Sequence, residues 1–321
     1  MSGSTQTIPT AFDEVAPVLS YSPVVLPVPR RPVDLQLRVS APAAGTALPV
    51  ILLSHGHGGS HHLSSLHGYA PLADLWAAAG FVVVQPTHLS SRTLSHRLAD
   101  APGAPLFWRS RAQDMTDILD RLAEIENAVP LLAGRIDHKK IAVAGHSMGG
   151  HTASLLLGAH ATDPDTEEEI DLTEPRIKAG VLLAAPGRGG DILNGPAAPL
   201  VRFLDTIDFS TMTTAALVVA GDKDDPQHFT DIGPDWHVDP YALAPAPKTL
   251  LTLFDAEHLL GGVSGYDAAE TTDENPARVS ALARLTAAYL HTRLRPGDDA
   301  WDTATTALAT DPHAVGRVES K

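Results

Sequence analysis

Six apolar runs that are continuous rather than alternating constrain the fold more than any other feature of this chain. They are Val50 to Leu53, Phe81 to Val84, Ile141 to Ala144 and Ala215 to Ala220, with Ala179 to Ala185 and Leu250 to Phe254 broken only by Gly180 and Thr252. A strand whose successive side chains are all apolar must be covered on both faces, because those side chains point alternately up and down. Between the runs lie stretches with helical spacing, Leu66 to Ala79, Arg109 to Val129 and Met148 to Leu157, and after the last run Val279 to Leu294 closes the pattern. In the second of these, Met115, Ile118, Leu119, Leu122 and Ile125 recur along one helix face. Strand alternating with helix predicts an α/β fold, a mostly parallel sheet with helices on both faces. Only Val33 to Val39 alternates apolar and polar residues, which predicts one half-buried strand and an antiparallel entry near the N-terminus.

The chain has 321 residues, and no linker or repeat divides it. The expected organisation is an N-terminal extension over 1–22, one catalytic domain over 23–295 and a C-terminal surface tail over 296–321. Residues 186 to 214 are long for a connection and could form a small cap. The acidic run at 161 to 175 reads as a solvated loop, with a calcium site as the alternative. A formal net charge of −15 disfavours nucleic acid and anionic membranes as partners. The absence of cysteine removes disulfides, thiolate metal sites and cysteine nucleophiles together. Without a basic start and apolar core in the first thirty residues, or any run of transmembrane length, a soluble cytoplasmic protein is expected.

Ile141-Ala-Val-Ala-Gly-His-Ser-Met-Gly-Gly150 contains G-x-S-x-G between a buried strand and a helical pattern. That context makes Ser147 a candidate nucleophile on a sharp turn, flanked by glycines because side chains would collide there. A serine hydroxyl needs a base, and the base needs a carboxylate to orient it. His258 follows the last apolar run and is the expected base; His237 and His228 are alternatives from a loop with no strand to position them. For the acid, Asp224 follows the run Ala215 to Ala220, with Asp222, Asp225 and Glu257 as alternatives. The loops carrying Ser147, Asp224 and His258 should all leave the carboxyl edge of the sheet, where open α/β sheets bind ligands. Leu89, Phe107 and Trp108 are candidate pocket walls.

With elbow, acid loop and final histidine in this order, the chain resembles the α/β-hydrolase superfamily over about residues 24 to 295. The stretches SHGHGGS, GHSMGG and EHLLGGVSGYDAAETTDENP look most like its bacterial chlorophyllase-like branch, itself similar to dienelactone hydrolases and platelet-activating-factor acetylhydrolases. The resemblance implies carboxylic ester hydrolysis through an acyl-enzyme, with no cofactor and a small-molecule ester as substrate; a lipase or polyester hydrolase, an amidase or peptidase using the same triad, and a non-catalytic ligand receptor on the same fold are the alternatives. Dienelactone hydrolases carry a cysteine where this chain has Ser147. Plant chlorophyllases typically carry an arginine where it has Met148. The resemblance also implies an oxyanion hole made by the backbone N–H groups of Met148 and of His57, in the loop after the first continuous run.

That loop, Ser54-His-Gly-His-Gly-Gly-Ser-His-His62, holds four histidines. An alternating pair such as His55 and His57 could ligate a metal. The glycines instead make the segment a loop, and no neighbouring carboxylate completes a site, so no metal is expected. His61 and His62 are expected to be exposed, and His146 to pack inward or bond to backbone. A histidine base must be neutral, so activity should fall below about pH 6.5.

Overall fold

A computed structural model describes residues 16–321. In chain order, β1 (Val18–Leu26), β2 (Leu35–Pro42) and β3 (Leu48–Ser54) precede α1 (Ala70–Ala78), β4 (Val82–Pro86) and α2 (Arg92–Leu98). Next come α3 (Trp108–Asp120), α4 (Leu122–Ala128), β5 (Ile136–His146) and α5 (Met148–Leu156). The short β6 (Ala161–Thr162) and β7 (Glu169–Ile170) then lead to β8 (Ile177–Leu183), β9 (Ala216–Gly221), α6 (Asp239–Ala242) and β10 (Lys248–Leu253). The chain closes with α7 (Pro276–Leu294), α8 (Ala300–Thr310) and β11 (Gly316–Ser320).

The main sheet has the order β1-β2-β4-β3-β5-β8-β9-β10-β11. Its inner strands from β4 to β10 are parallel, while β1, β2 and β11 run antiparallel to their neighbours. The continuous apolar runs supply both faces, as a doubly covered sheet requires. Val50, Leu52, Val143 and Val218 pack on one side with Ala112 and Met115 of α3 and Ala153 of α5. Ile51, Leu53, Ala144 and Val219 pack on the other with Trp76 of α1 and Leu285 of α7. No helix among the described residues is long and apolar enough to cross a membrane.

Three expectations are corrected. Residues 18–22, expected in the extension, belong to β1 and pair with β2; residues 1–15 lie outside the described residues. The expected tail is part of the domain: β11 pairs with β10, and Trp301 of α8 packs edge-on against Tyr289 of α7 at 5.4 Å between rings. The helix expected from Arg109 to Val129 breaks at Arg121, where φ is −117° and the guanidinium is drawn to the Pro27 carbonyl and Glu124. The acidic run at 161–175 contains the β6–β7 hairpin, with Arg109 paired to Asp163 and Glu168.

Candidate active site

Strand β5 ends at His146, and helix α5 begins at Met148, leaving one residue to make the turn. Ser147 makes it at φ 54°, ψ −120°, a conformation that a non-glycine residue adopts only under constraint. The neighbouring strand supplies the constraint. A Cβ on Gly145 would stand 1.9 Å from the Gly149 carbonyl oxygen, and one on Gly149 would stand 2.0 Å from that of Ser54. The G-x-S-x-G spacing is therefore steric: glycine on either side lets the elbow close against β3.

His258 follows β10, and its Nε2 lies 2.9 Å from Ser147 Oγ. Its Nδ1 lies 2.9 and 3.1 Å from the two oxygens of Asp224, which follows β9 and is buried. Because Nδ1 faces a carboxylate, it carries the proton, and Nε2 is left as the acceptor for the serine hydroxyl. Burial alone would raise the carboxyl pKa of Asp224, but the charges of His258 and His237 outweigh it and hold the group well below the usual carboxylate range.

The alternative acids are engaged elsewhere. Asp222 accepts from the Asp255 N–H, Asp225 from Gln227 on the surface, and Glu257 from the Thr272 hydroxyl. Of the alternative bases, His228 is exposed and lines the cavity beside Ser147, while His237 reaches Asp224 rather than the serine.

The loop after β3 does not gather its histidines. His55 is buried, with Nδ1 donating to the Gly56 carbonyl at 2.6 Å and Nε2 accepting from the His88 N–H. His62 bonds the Ser264 carbonyl, and His61 is exposed. His57 is half-buried, and its Nδ1 has no hydrogen-bond partner. Among the described residues, neither the His57 N–H nor the Met148 N–H is given to a protein acceptor, which leaves both donors free for a ligand. The spacing a metal ion would need occurs instead at Asp224, His237 and His258, whose candidate atoms lie within 4.8 Å of one another. There, both nitrogens of His258 already have hydrogen-bond partners.

Sequence reasoning missed two networks under this loop. In the first, the Gly56 N–H donates to the Tyr69 hydroxyl, which donates to His146 Nδ1, and His146 Nε2–H donates to the His258 carbonyl at 2.7 Å. The carbonyl at its end fixes every proton along this chain. Burial, then the charge of His258, lowers the His146 pKa to about 3, so it stays neutral and ties the loop after β3 to the loop of the base. In the second, Arg111 is fully buried and donates to the His55 carbonyl and to the hydroxyls of Ser54, Ser90 and Thr152. Burial pushes it down to about 10, with Asp114 opposing, so it remains a cation beneath the loop at neutral pH. The local sequence shows only that Arg111 shares the apolar face of Met115 and Ile118; the partners in both networks come from distant segments.

Beside Ser147 lies a cavity of about 190 Å³ walled by Met148, Pro186, Val201, Leu204, Phe229 and Trp236. Val201 and Leu204 come from the expected cap segment, which folds as short 3₁₀ turns. Of the expected walls, Trp108 instead stacks on Phe203, while Leu89 and Phe107 line a separate groove with His57. A larger hollow of about 460 Å³, between the start of β1 and α1, shares no lining residue with the site.

Residues 50–319 match the model of the alpha/beta hydrolase family. No curated protein matches the chain.

Proposed function

The chain belongs to the alpha/beta hydrolase family, and on that premise we propose that it is a hydrolase of carboxylic esters using Ser147, His258 and Asp224. The observation that carries the reading is the continuous hydrogen-bonded line from Ser147 Oγ through His258 to Asp224. In this mechanism His258 Nε2 takes the proton as Ser147 Oγ attacks the ester carbonyl. The imidazolium so formed is stabilised by Asp224 and then protonates the departing alcohol. Water, deprotonated by His258, attacks the acyl-enzyme and releases the acid and Ser147. The N–H groups of Met148 and His57 receive the oxyanion in both steps.

Donors aimed at charge that exists only in the transition state are worth about 2.7 to 4 kcal/mol each. His57→Pro, which deletes the N–H, should therefore lower kcat by about 10² to 10³ with little change in KM. His57→Ala keeps the N–H and should stay near wild type in the same assay. A large loss in His57→Ala would mean that the imidazole, not the backbone, does the work.

The motif likeness to chlorophyllase-like enzymes favours esters over amides, as does the easier departure of an alcohol. The cavity beside Ser147 is apolar-walled and, at about 190 Å³, smaller than the few hundred Å³ usual for drug-sized ligands. It suits a compact acyl group. A series of p-nitrophenyl esters of increasing acyl length, with the matching anilides, tests this. Turnover should be greatest for short acyl chains, fall for long ones and be weaker for anilides. A preference for long chains would overturn the compact pocket, and no turnover of any ester would overturn the reading itself.

A further inference from the structure

Ester hydrolysis by Ser147, His258 and Asp224 leaves one buried titratable group beside Asp224 unused. His237 lies on the 3₁₀ turn Pro234–Val238 and is 2% exposed. Its Nδ1 is 2.9 Å from the Ala185 carbonyl oxygen, which can only accept, so Nδ1 carries a proton. Its Nε2 is 3.2 Å from Asp224 Oδ2, off the line of a well-directed hydrogen bond and in the geometry of an ion pair. A lone pair on Nε2 would face a carboxylate at that distance. A neutral imidazole has one N–H and one lone pair, so it cannot suit both neighbours, whereas an imidazolium suits both.

We propose that His237 is a buried imidazolium, a fixed counter-charge to Asp224 that sets the pH at which His258 becomes a free base. It is a positioning residue that acts through Asp224 and touches no reacting atom. The role of His258 rests on the ester-hydrolase reading; the protonation of His237 does not.

The surroundings are built for this state. A Cβ on Gly187 would stand 2.2 Å from the Trp236 carbonyl oxygen, so glycine lets this turn lie close against the segment that holds Ala185. The Trp236 indole N–H donates to the Arg188 carbonyl at 2.8 Å and ties the turn to the same segment. The charged and titratable groups around His237 are Asp224 after β9, Asp239 at the start of α6, His258 after β10 and His146 at the end of β5. Asp239 is itself held by the Arg188 N–H. Burial acts to lower the pKa of His237; the charge and hydrogen bond of Asp224, the Ala185 carbonyl and the charge of Asp239 outweigh it and raise it from the ordinary histidine value.

With its charge offset by His237, Asp224 holds a protonated His258 less tightly than it would alone. The rings of His237 and His258 are 5.6 Å apart, so a charge on His237 opposes a second charge on His258 directly. Removing the His237 charge therefore makes His258 harder to deprotonate. The acid limb of kcat/KM against pH moves up.

The test has two arms. In His237→Gln, which is neutral but still polar, the acid limb should rise by about one pH unit, a tenfold loss of kcat/KM at a pH below both limbs. A merely structural role would lower the whole profile without moving the limb, and that outcome overturns the proposal. The second arm needs neither a variant at this position nor activity. In ¹⁵N-labelled wild-type protein, with His237 assigned through the backbone, both ring nitrogens should still be protonated at pH 8. A neutral tautomer at that pH overturns the proposal even if His237→Gln fails to fold. Retained ester turnover in Ser147→Ala would instead sink the ester-hydrolase reading and leave the nitrogen spectrum to stand by itself.

Discussion

Ser147→Ala is expected to lower kcat/KM for p-nitrophenyl acetate by about 10⁴-fold or more while leaving thermal unfolding close to wild type. The two halves follow from different atoms. Catalysis is assigned to Oγ, the one atom of Ser147 that meets His258 Nε2, and alanine deletes it. Structure depends on the backbone: the Ser147 N–H donates to the Leu183 carbonyl at 2.9 Å, and its own carbonyl accepts from the His151 N–H at 3.1 Å. Alanine keeps both bonds. The positive φ of 54° strains alanine much as it strains serine, since both carry one Cβ. Residual turnover should come from substrate binding and the oxyanion donors alone. Retention of most of the activity with an unchanged unfolding curve would remove Ser147 as the nucleophile.

Ser147 is legible in the sequence because its cause is local. Strand, elbow and helix follow one another within Ile141 to Gly150, and both flanking positions require glycine because a Cβ would strike the Gly149 carbonyl in one case and that of Ser54 on β3 in the other. The parallel sheet is legible for a related reason, since a strand covered on both faces leaves an unbroken apolar run. Strand β11 leaves no such trace. It is an edge strand, with Arg317 and Glu319 exposed, and among the described residues it pairs only with β10. Edge strands have no need for a continuous apolar sequence. The β1 strand, at the opposite edge, escapes in the same way.

The supports of the site are hidden by separation along the chain. Tyr69 meets His146 across 77 residues, and Arg111 meets the His55 carbonyl across 56. Helical periodicity puts Arg111 on the same face as Met115, Ile118 and Leu122, toward the core, but nothing in the sequence names the carbonyl and hydroxyls that a buried cation there would hold. The pocket wall is illegible for a third reason. Val201 and Leu204 reach it from 3₁₀ turns too short, and too kinked at Val201, to leave a periodic pattern, whereas Trp108, a candidate wall, is used to stack on Phe203. His237 is visible in the sequence as a histidine in the acid's loop. What makes it partner Asp224 instead of Ser147 is the path of a turn that only the folded chain specifies.

Asp224→Asn should lower kcat by about 10⁴, while Asp222→Asn and Asp225→Asn stay within a few-fold of wild type, the same ester assay serving for all three. The carboxylate at 224 meets two imidazoles: His258 Nδ1 at 2.9 and 3.1 Å, and His237 Nε2 at 3.2 Å. An amide offers one oxygen and one NH₂ in that space. If its oxygen serves His258, the NH₂ group faces His237; if its NH₂ faces His258, the imidazole must place its proton on Nε2 and cannot accept one from Ser147. Even in the better orientation, the negative charge that stabilises the transition-state imidazolium is gone. At 222, by contrast, an amide oxygen can still accept the Asp255 N–H, and at 225 the partner is a surface glutamine. An Asp224→Asn protein close to wild type in kcat would remove this residue from the mechanism, and the neighbouring variant with the largest loss would then name the acid.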